Sequence, residues 1–174
     1  MSDFWDGLLG DTALPWGRAG SPAVDVLAER LAAGARVLVP GCGYGRNALA
    51  LARRGLRVVA YDYSPVAIAR ARDEFAAPGV EYAVRDVLDV PAGAYDGVFC
   101  HFLLHLFLAP ERQRIVAVLA SALAPGGLLL ATALSTRCPF YGNGDEIEPD
   151  TWSNPGWVPI HFYTAAGLAA ELAP

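Results

Sequence analysis

Lysine is absent from this chain: all 13 of its basic residues are arginine. That excludes a phosphate-binding Gly-Lys loop, a Schiff-base lysine and a lysine general base. Cysteine is sparse. Cys42, Cys100 and Cys138 are odd in number and unpaired in spacing, so reduced thiols are expected rather than a disulfide framework or a zinc site. No apolar run reaches the ~18 residues of a membrane span, because Arg, Asp or Gly interrupts each one. The first residues, MSDFWDGLLGD, carry no basic stretch followed by an apolar one, so no secretion signal is expected and a cytoplasmic location is. Positive charge is also short. The net charge is −5 and the basic residues cluster only at Arg53, Arg54 and Arg57, which argues against electrostatic capture of nucleic acid.

Apolar residues are abundant, at 54% of 174, enough for one domain spanning 1–174 with a sizeable core. Residues 1–21 show no periodicity and read as an irregular arm carrying Trp5 and Trp16. Helical spacing over 23–33 is followed by RVLVP, a wholly apolar strand, and after a glycine-rich turn by the helix RNALALARR. LRVVAYD reads as the second strand, and SPVAIARARDEF as a helix with Ser64 as N-cap and Pro65 at its first position. Strands are expected over 79–86, 95–102 and 128–135, with helices over 110–123 and 164–172. The stretch 136–159 reads as a long, lid-like loop. Apolar strands alternating with helices predict an α/β fold whose parallel sheet is covered on both faces, with a ligand at the carboxyl ends of the strands.

The turn VLVPGCGYGRN places glycines at 41, 43 and 45 between a strand and a helix. A dinucleotide fingerprint needs its third glycine at position 46, where this chain has Arg46. Asp62 ends the next strand, where a carboxylate can accept both hydroxyls of a ribose. Asp86, in RDVLDVP, is placed at the third strand's end to accept from an adenine amino group. Together the three positions describe an adenosine site without a pyrophosphate.

Taken in order, GCGYGRNALALARRG, VVAYDYSPVAIARAR, VRDVLDVP, YDGVFCHFLLHLF and LAPGGLLLATAL resemble the class I S-adenosylmethionine-dependent methyltransferases. More narrowly, RVLVPGCG with an N-terminal Trp is similar to the thiopurine methyltransferase-like branch. GRNALALARRG with IHFYTAAGL is similar to the tellurite-resistance type. The resemblance implies a three-layer αβα Rossmann-like methyltransferase fold with strand order 3-2-1-4-5, S-adenosylmethionine as cofactor (S-adenosylhomocysteine as product), and a small-molecule acceptor such as a thiol or metalloid. Carried over position by position, it implies that Gly41, Gly43 and Gly45 border the methionine portion of the cofactor. Asp62 would hold the ribose, Tyr63 would flank the adenine, and Asp86 with the Val87 amide would read its edge. Cys100 and His101 would lie beside the transferring methyl. Val39 departs from the family, which often carries a carboxylate there.

Methyl transfer from a sulfonium demands in-line positioning, and a hydroxyl or amine acceptor must also lose a proton. His101 and His105 are the candidate bases, although His105 sits in an apolar stretch that also suits a packing role. His161 reads as structural or lid-related, and no metal site is expected. Trp5 and Trp16 either anchor the arm or close the site over the substrate. The family's C-terminal antiparallel hairpin is absent from the sequence pattern, which would leave the fifth strand as an apolar edge open to a second copy. Two other readings share the motifs: a non-catalytic nucleoside-binding or interaction module, and a nicotinamide-dependent oxidoreductase, which Arg46 argues against.

Overall fold

The computed structural model describes residues 2–10 and 13–173. Its main sheet consists of β1 (Arg36–Pro40), β2 (Arg57–Asp62), β3 (Val80–Val84), β4 (Tyr95–His101) and β5 (Leu123–Thr132). They lie in the order β3-β2-β1-β4-β5 and every pair is parallel. This is the three-layer arrangement that alternating apolar strands and helices require.

Alternation along the strands divides the core. Val37, Val39, Val58, Ala60 and Phe99 pack with Val24 and Leu27 of α2 (Ala23–Ala28) and with Ala48 and Leu51 of α3 (Arg46–Arg53). Leu38, Val59, Val98 and Cys100 pack with Ile115 and Leu119 of α5 (Ala109–Ala122). Between them, α4 (Pro65–Glu74) starts as its sequence predicts: the Ser64 hydroxyl accepts from the Ala67 amide at 3.0 Å, with Pro65 at the first helical position. The final helix, α6 (Ala165–Glu171), is capped the same way, by Thr164 Oγ1 accepting from Gly167 N at 2.9 Å.

Two segments differ from the sequence expectation. The arm is not irregular: Ser2–Gly10 forms a helix, α1. Gly7 and Gly10 obscure its periodicity, and tertiary contacts hold it. Leu9 is buried with Tyr44 and Phe75, the Ser64 hydroxyl donates to the Asp6 carboxylate, and Arg70 Nη1 donates to the Leu9 carbonyl at 3.0 Å. The loop over 136–159 is likewise structured. It contains β6 (Asp145–Glu148) and β7 (Thr151–Ser153), which form a small antiparallel sheet with β8 (Ile160–His161). Antiparallel strands are therefore present, but in a separate sheet. Polar residues face both ways in DEIE, so no alternation marks it.

β5 also stops three residues short of the expected end. The chain beyond it pairs at Ser135 with Tyr163, whose amide donates to the Leu134 carbonyl at 2.8 Å, so this end of the edge strand is covered. Among the described residues no helix is long and apolar enough to cross a membrane.

Candidate active site

All five main-sheet strands point their carboxyl ends at one cavity of about 1050 Å³. Ligand pockets usually measure ~300–1,000 Å³, so the volume accommodates two molecules side by side. One half is built on β1 and β2. Gly41 and Gly43 have φ of +60° and +54°, and a Cβ on Gly43 would meet only Leu9 Cδ2, at 4.0 Å. The space over Gly43 is open, whereas a Cβ on Gly41 would lie 2.7 Å from Leu103 Cδ1. Asp62 closes it from β2: one carboxylate oxygen accepts from Gly43 N at 2.8 Å, the other from Ser64 N at 3.0 Å. Burial raises the Asp62 pKa. The amides of Ser64 and Gly43 oppose that, and the nearby Asp6 charge adds to it.

Tyr63, Asp86 and Val87 line the same half. Asp86 stands on the loop two residues beyond the end of β3, not on the strand. It accepts from Leu88 N at 2.8 Å, while among the described residues the Val87 amide has no hydrogen-bond partner. Trp5 of α1 and Trp16 form part of the wall. Trp16 stacks on Tyr44 at 5.9 Å and donates its amide to the Tyr44 hydroxyl at 3.1 Å. Arg46 also lines the cavity, yet its guanidinium holds the Ala19 carbonyl at 2.7 Å, tying down the end of the arm.

Two expected site residues are elsewhere. Cys100 is fully buried among Leu104 and Ile115 on the α5 side of the sheet and does not line the cavity. Strand alternation sends Phe99 and His101 to the other side, where their rings stack. Burial pushes the Cys100 thiol up to about 12, which leaves it protonated and inert. Gly45 is outside the cavity wall as well. Its φ is +90° at the start of α3, and a Cβ there would lie 2.5 Å from the Tyr82 hydroxyl. Gly45→Ala is expected to cost about 2 kcal/mol of stability through left-handed strain and this clash, and to weaken nucleoside binding by displacing the turn. Thermal unfolding and ligand titration of the variant check both effects.

The second half lies beyond β4. His101 ends the strand with Nδ1 2.6 Å from Thr132 Oγ1, which fixes its ring. Phe102 follows with φ +52°, a strained conformation for an aromatic residue and one that concentrates at functional sites. His101 and His105 both pack edge-on against the Phe102 ring, with centroids 4.7 and 5.4 Å away. His105 belongs to a single 3-10 turn, Leu104–Leu106. The roof is the small sheet and its flanks, including Trp152, Trp157, Ile160 and Phe162. Sequence reading missed Phe102 and the place of this roof over the site.

Burial, then the Arg46 charge, lowers His101 to about 4. Burial, then the neighbouring His101 and His161, lowers His105 to about 4. Both imidazoles are neutral at physiological pH. The unfolded chain binds protons near pH 6.5 that the folded His101 and His105 do not, so this stability is complete above 6.5 and is lost as pH falls toward 4. The expected loss is up to about 1.4 kcal/mol per pH unit for His105 and less for the half-exposed His101. Urea unfolding at pH 7.5 and 5 measures it, and His105→Phe should flatten the dependence.

Residues 37–127, more than half of the chain, match the family model described as "Methyltransferase domain", and the chain belongs to that family. Its three-layer fold is that of the class I S-adenosylmethionine-dependent methyltransferases. The chain is 38% identical over 118 residues to the ubiquinone biosynthesis O-methyltransferase of Xanthomonas campestris pv. campestris, an alignment covering 64% of this chain and 48% of the relative. It spans about half the length of the curated relatives it matches. Among solved structures, it is similar to the protein described under conversion of a disulfide bond into a thioacetal group during echinomycin biosynthesis. There the TM-score is 0.77 and the identity 26%, over 99% of this chain and 77% of that one. It is also similar to the [4+2]-cyclase SpnF, with TM-score 0.66 and 27% identity over 86% of this chain and 54% of that one. Burkholderia thailandensis 1,6-didemethyltoxoflavin-N1-methyltransferase, with bound 1,6-didemethyltoxoflavin and S-adenosylhomocysteine, shares the fold at TM-score 0.71 and 23% identity, over 87% of this chain and 64% of that one.

Proposed function

We propose that this chain binds S-adenosylmethionine and methylates a small, largely apolar acceptor seated under the β6–β8 sheet. The observation that carries the reading is one cavity with two chemically different halves: a glycine turn open at Gly43 and closed by the Asp62 carboxylate, and an aromatic chamber ending at His101. The sequence alone favoured thiol or metalloid acceptors. The curated relatives named as O-methyltransferases favour oxygen.

Bound S-adenosylmethionine would supply a methyl on a sulfonium, already a good electrophile. The chain's own part is placement. Asp62 would accept from the ribose hydroxyls, Tyr63 would cover the adenine, and the Val87 amide would donate to its edge. Trp5, Trp16 and Leu9 would shut water out. His101, fixed by Thr132, would align the acceptor and take its proton at Nε2 as the methyl arrives. A neutral, weakly basic imidazole suits an acceptor that is itself acidic, such as a phenol, enol or thiol, better than an aliphatic alcohol.

Calorimetric titration with S-adenosylhomocysteine tests the first step: micromolar or tighter binding is expected, and no detectable heat together with no thermal stabilisation overturns the reading. A second reading, nucleoside binding without methyl transfer, draws on the similarity to a [4+2]-cyclase. It predicts S-adenosylhomocysteine binding with no radiolabel passed to any phenol or thiol.

The edge of β5 away from Ser135 is free of any partner strand among the described residues. A homodimer through it would appear as a doubled mass in sedimentation.

A further inference from the structure

Two reverse turns in the roof carry rings that the fold leaves uncovered. In the first, Tyr141 N donates to the Cys138 carbonyl at 3.0 Å and Asn143 N to the Phe140 carbonyl at 3.3 Å. In the second, Trp157 N donates to the Asn154 carbonyl at 3.1 Å. The Asn154 side chain fastens the two turns together, its Nδ2 donating to the Asn143 carbonyl at 2.9 Å. Phe140, Asn143, Asn154, Pro155 and Trp157 all line the cavity that holds His101. Phe140 is 66% exposed and Trp157 60%, more than any other large apolar residue among those described.

The first turn does not need the Phe140 ring to hold it. Tyr141 packs edge-on against Trp152 and Phe162, with centroids 5.8 and 5.5 Å away, and its hydroxyl donates to the Asp150 carboxylate at 2.6 Å. Among the described residues Phe140 makes no ring contact, and the Trp157 ring meets that of Phe4 alone. A single exposed apolar side chain is ordinary, but two rings on joined turns in one cavity wall form an apolar lip.

Charge narrows what the lip can hold. Residues 138–160 include four carboxylates, Asp145, Glu146, Glu148 and Asp150, and no basic side chain. None of the four lines the cavity. The lip therefore offers uncharged ring faces in a surrounding field that repels anions, which suits neither a carboxylate or phosphate group nor an anionic lipid surface. A neutral hydrocarbon fits. Because lip and chamber share one cavity wall, the occupant that reaches the lip is the far end of a molecule seated at His101.

Resting on the methyl-transfer reading, we propose that the acceptor carries a neutral hydrocarbon tail, which leaves the chamber across Phe140 and Trp157. These two rings are specificity residues: they touch the tail and not the reacting atoms.

The test titrates 4-ethylphenol and 4-hexylphenol by calorimetry into protein saturated with S-adenosylhomocysteine. Each fully buried methylene tightens binding about fourfold, so four more, partly buried, should give a gain of about tenfold or more. In the variant carrying both Phe140→Ser and Trp157→Ser that gain should shrink by about threefold or more, the ratio cancelling any loss common to both phenols. Phe140→Leu, which keeps an apolar surface, should retain most of it. S-adenosylhomocysteine affinity in Phe140→Ser should equal that of the wild type, which also reports that the variant folds. A smaller wild-type gain, lack of binding of either phenol included, overturns the assignment, as does a smaller reduction in the double variant. If the wild type cosediments with phosphatidylcholine vesicles or doubles in mass, and Phe140→Ser abolishes this with the tail gain intact, the lip serves a membrane or a second copy and the assignment falls. If the wild-type protein fails to bind S-adenosylhomocysteine, the methyl-transfer reading itself falls, and this assignment with it.

Discussion

Asp62→Ala is expected to weaken S-adenosylhomocysteine binding by about 100-fold while leaving a folded protein. Charge-assisted hydrogen bonds contribute about 1.5–3 kcal/mol each, and two ribose hydroxyls would lose such a partner. A hundredfold change corresponds to about 2.7 kcal/mol, just under the about 3 kcal/mol that two such bonds contribute at the low end. Stability should suffer less. Gly43 N and Ser64 N lose their acceptor, but the buried charge and its repulsion with Asp6, both of which raise the Asp62 pKa, disappear with it. Asp62→Asn is a sharper probe: it keeps the size but turns one acceptor into a donor facing amides that donate. Titration calorimetry measures both variants. An affinity within threefold of wild type in Asp62→Ala would remove Asp62 from the site.

The largest stability effect is expected at Arg112. Its guanidinium, on a residue only 5% exposed, donates to Glu148 of β6 at 2.8 Å, to Glu171 of α6 at 3.1 Å and to the Phe107 carbonyl at 2.9 Å. Glu148 also accepts from Ala109 N and the Thr151 hydroxyl. Burial works to raise the Glu148 pKa, but Arg112 and these donors bring it below the usual glutamate value. Removing the cation leaves two largely buried carboxylates facing each other, a change that typically costs 3–5 kcal/mol. For a chain of this size Arg112→Ala should therefore lower Tm by roughly 10 °C, and Glu148→Gln in the same protein should recover part of that. Glu148 ionises more readily in the folded chain, so its contribution is present above the unfolded glutamate pKa and is lost as pH falls through the folded value. A loss under about 1 kcal/mol in urea unfolding at pH 7 would show that Arg112 does not hold the roof in place.

What could be read from the sequence follows from where the determining interactions lie. Ser64-Pro65 announces α4 because a cap and its helix are neighbours in the chain. The glycine turn and Asp62 were legible because each ends an apolar strand whose partner is the next one along. α1 was not, since Gly7 and Gly10 weaken it locally and its stability comes from Tyr44, Phe75 and Arg70, far along the chain. The small sheet was not, because its strands are two to four residues long. It rests on the Arg112–Glu148 pair and on turns at Gly144 and Asp150, both at positive φ. In the sequence Arg112 is one of two arginines in the first half of its helix, with nothing local to separate it from Arg114. Cys100 was misassigned for a related reason: β4 is apolar on both faces, so only the stacked Phe99–His101 pair reveals which side meets the cavity.

The helix that covers one half of the cavity touches the roof of the other. Phe4 of α1 lies 5.6 Å, ring to ring, from Trp157, and neither residue belongs to the main sheet. A molecule that holds α1 against Asp62 also holds Phe4, and through it Trp157 at the outer lip of the aromatic chamber. The two compartments thus share one contact in their cover. Whatever ordering of that contact the first occupant brings about is not required again of the second.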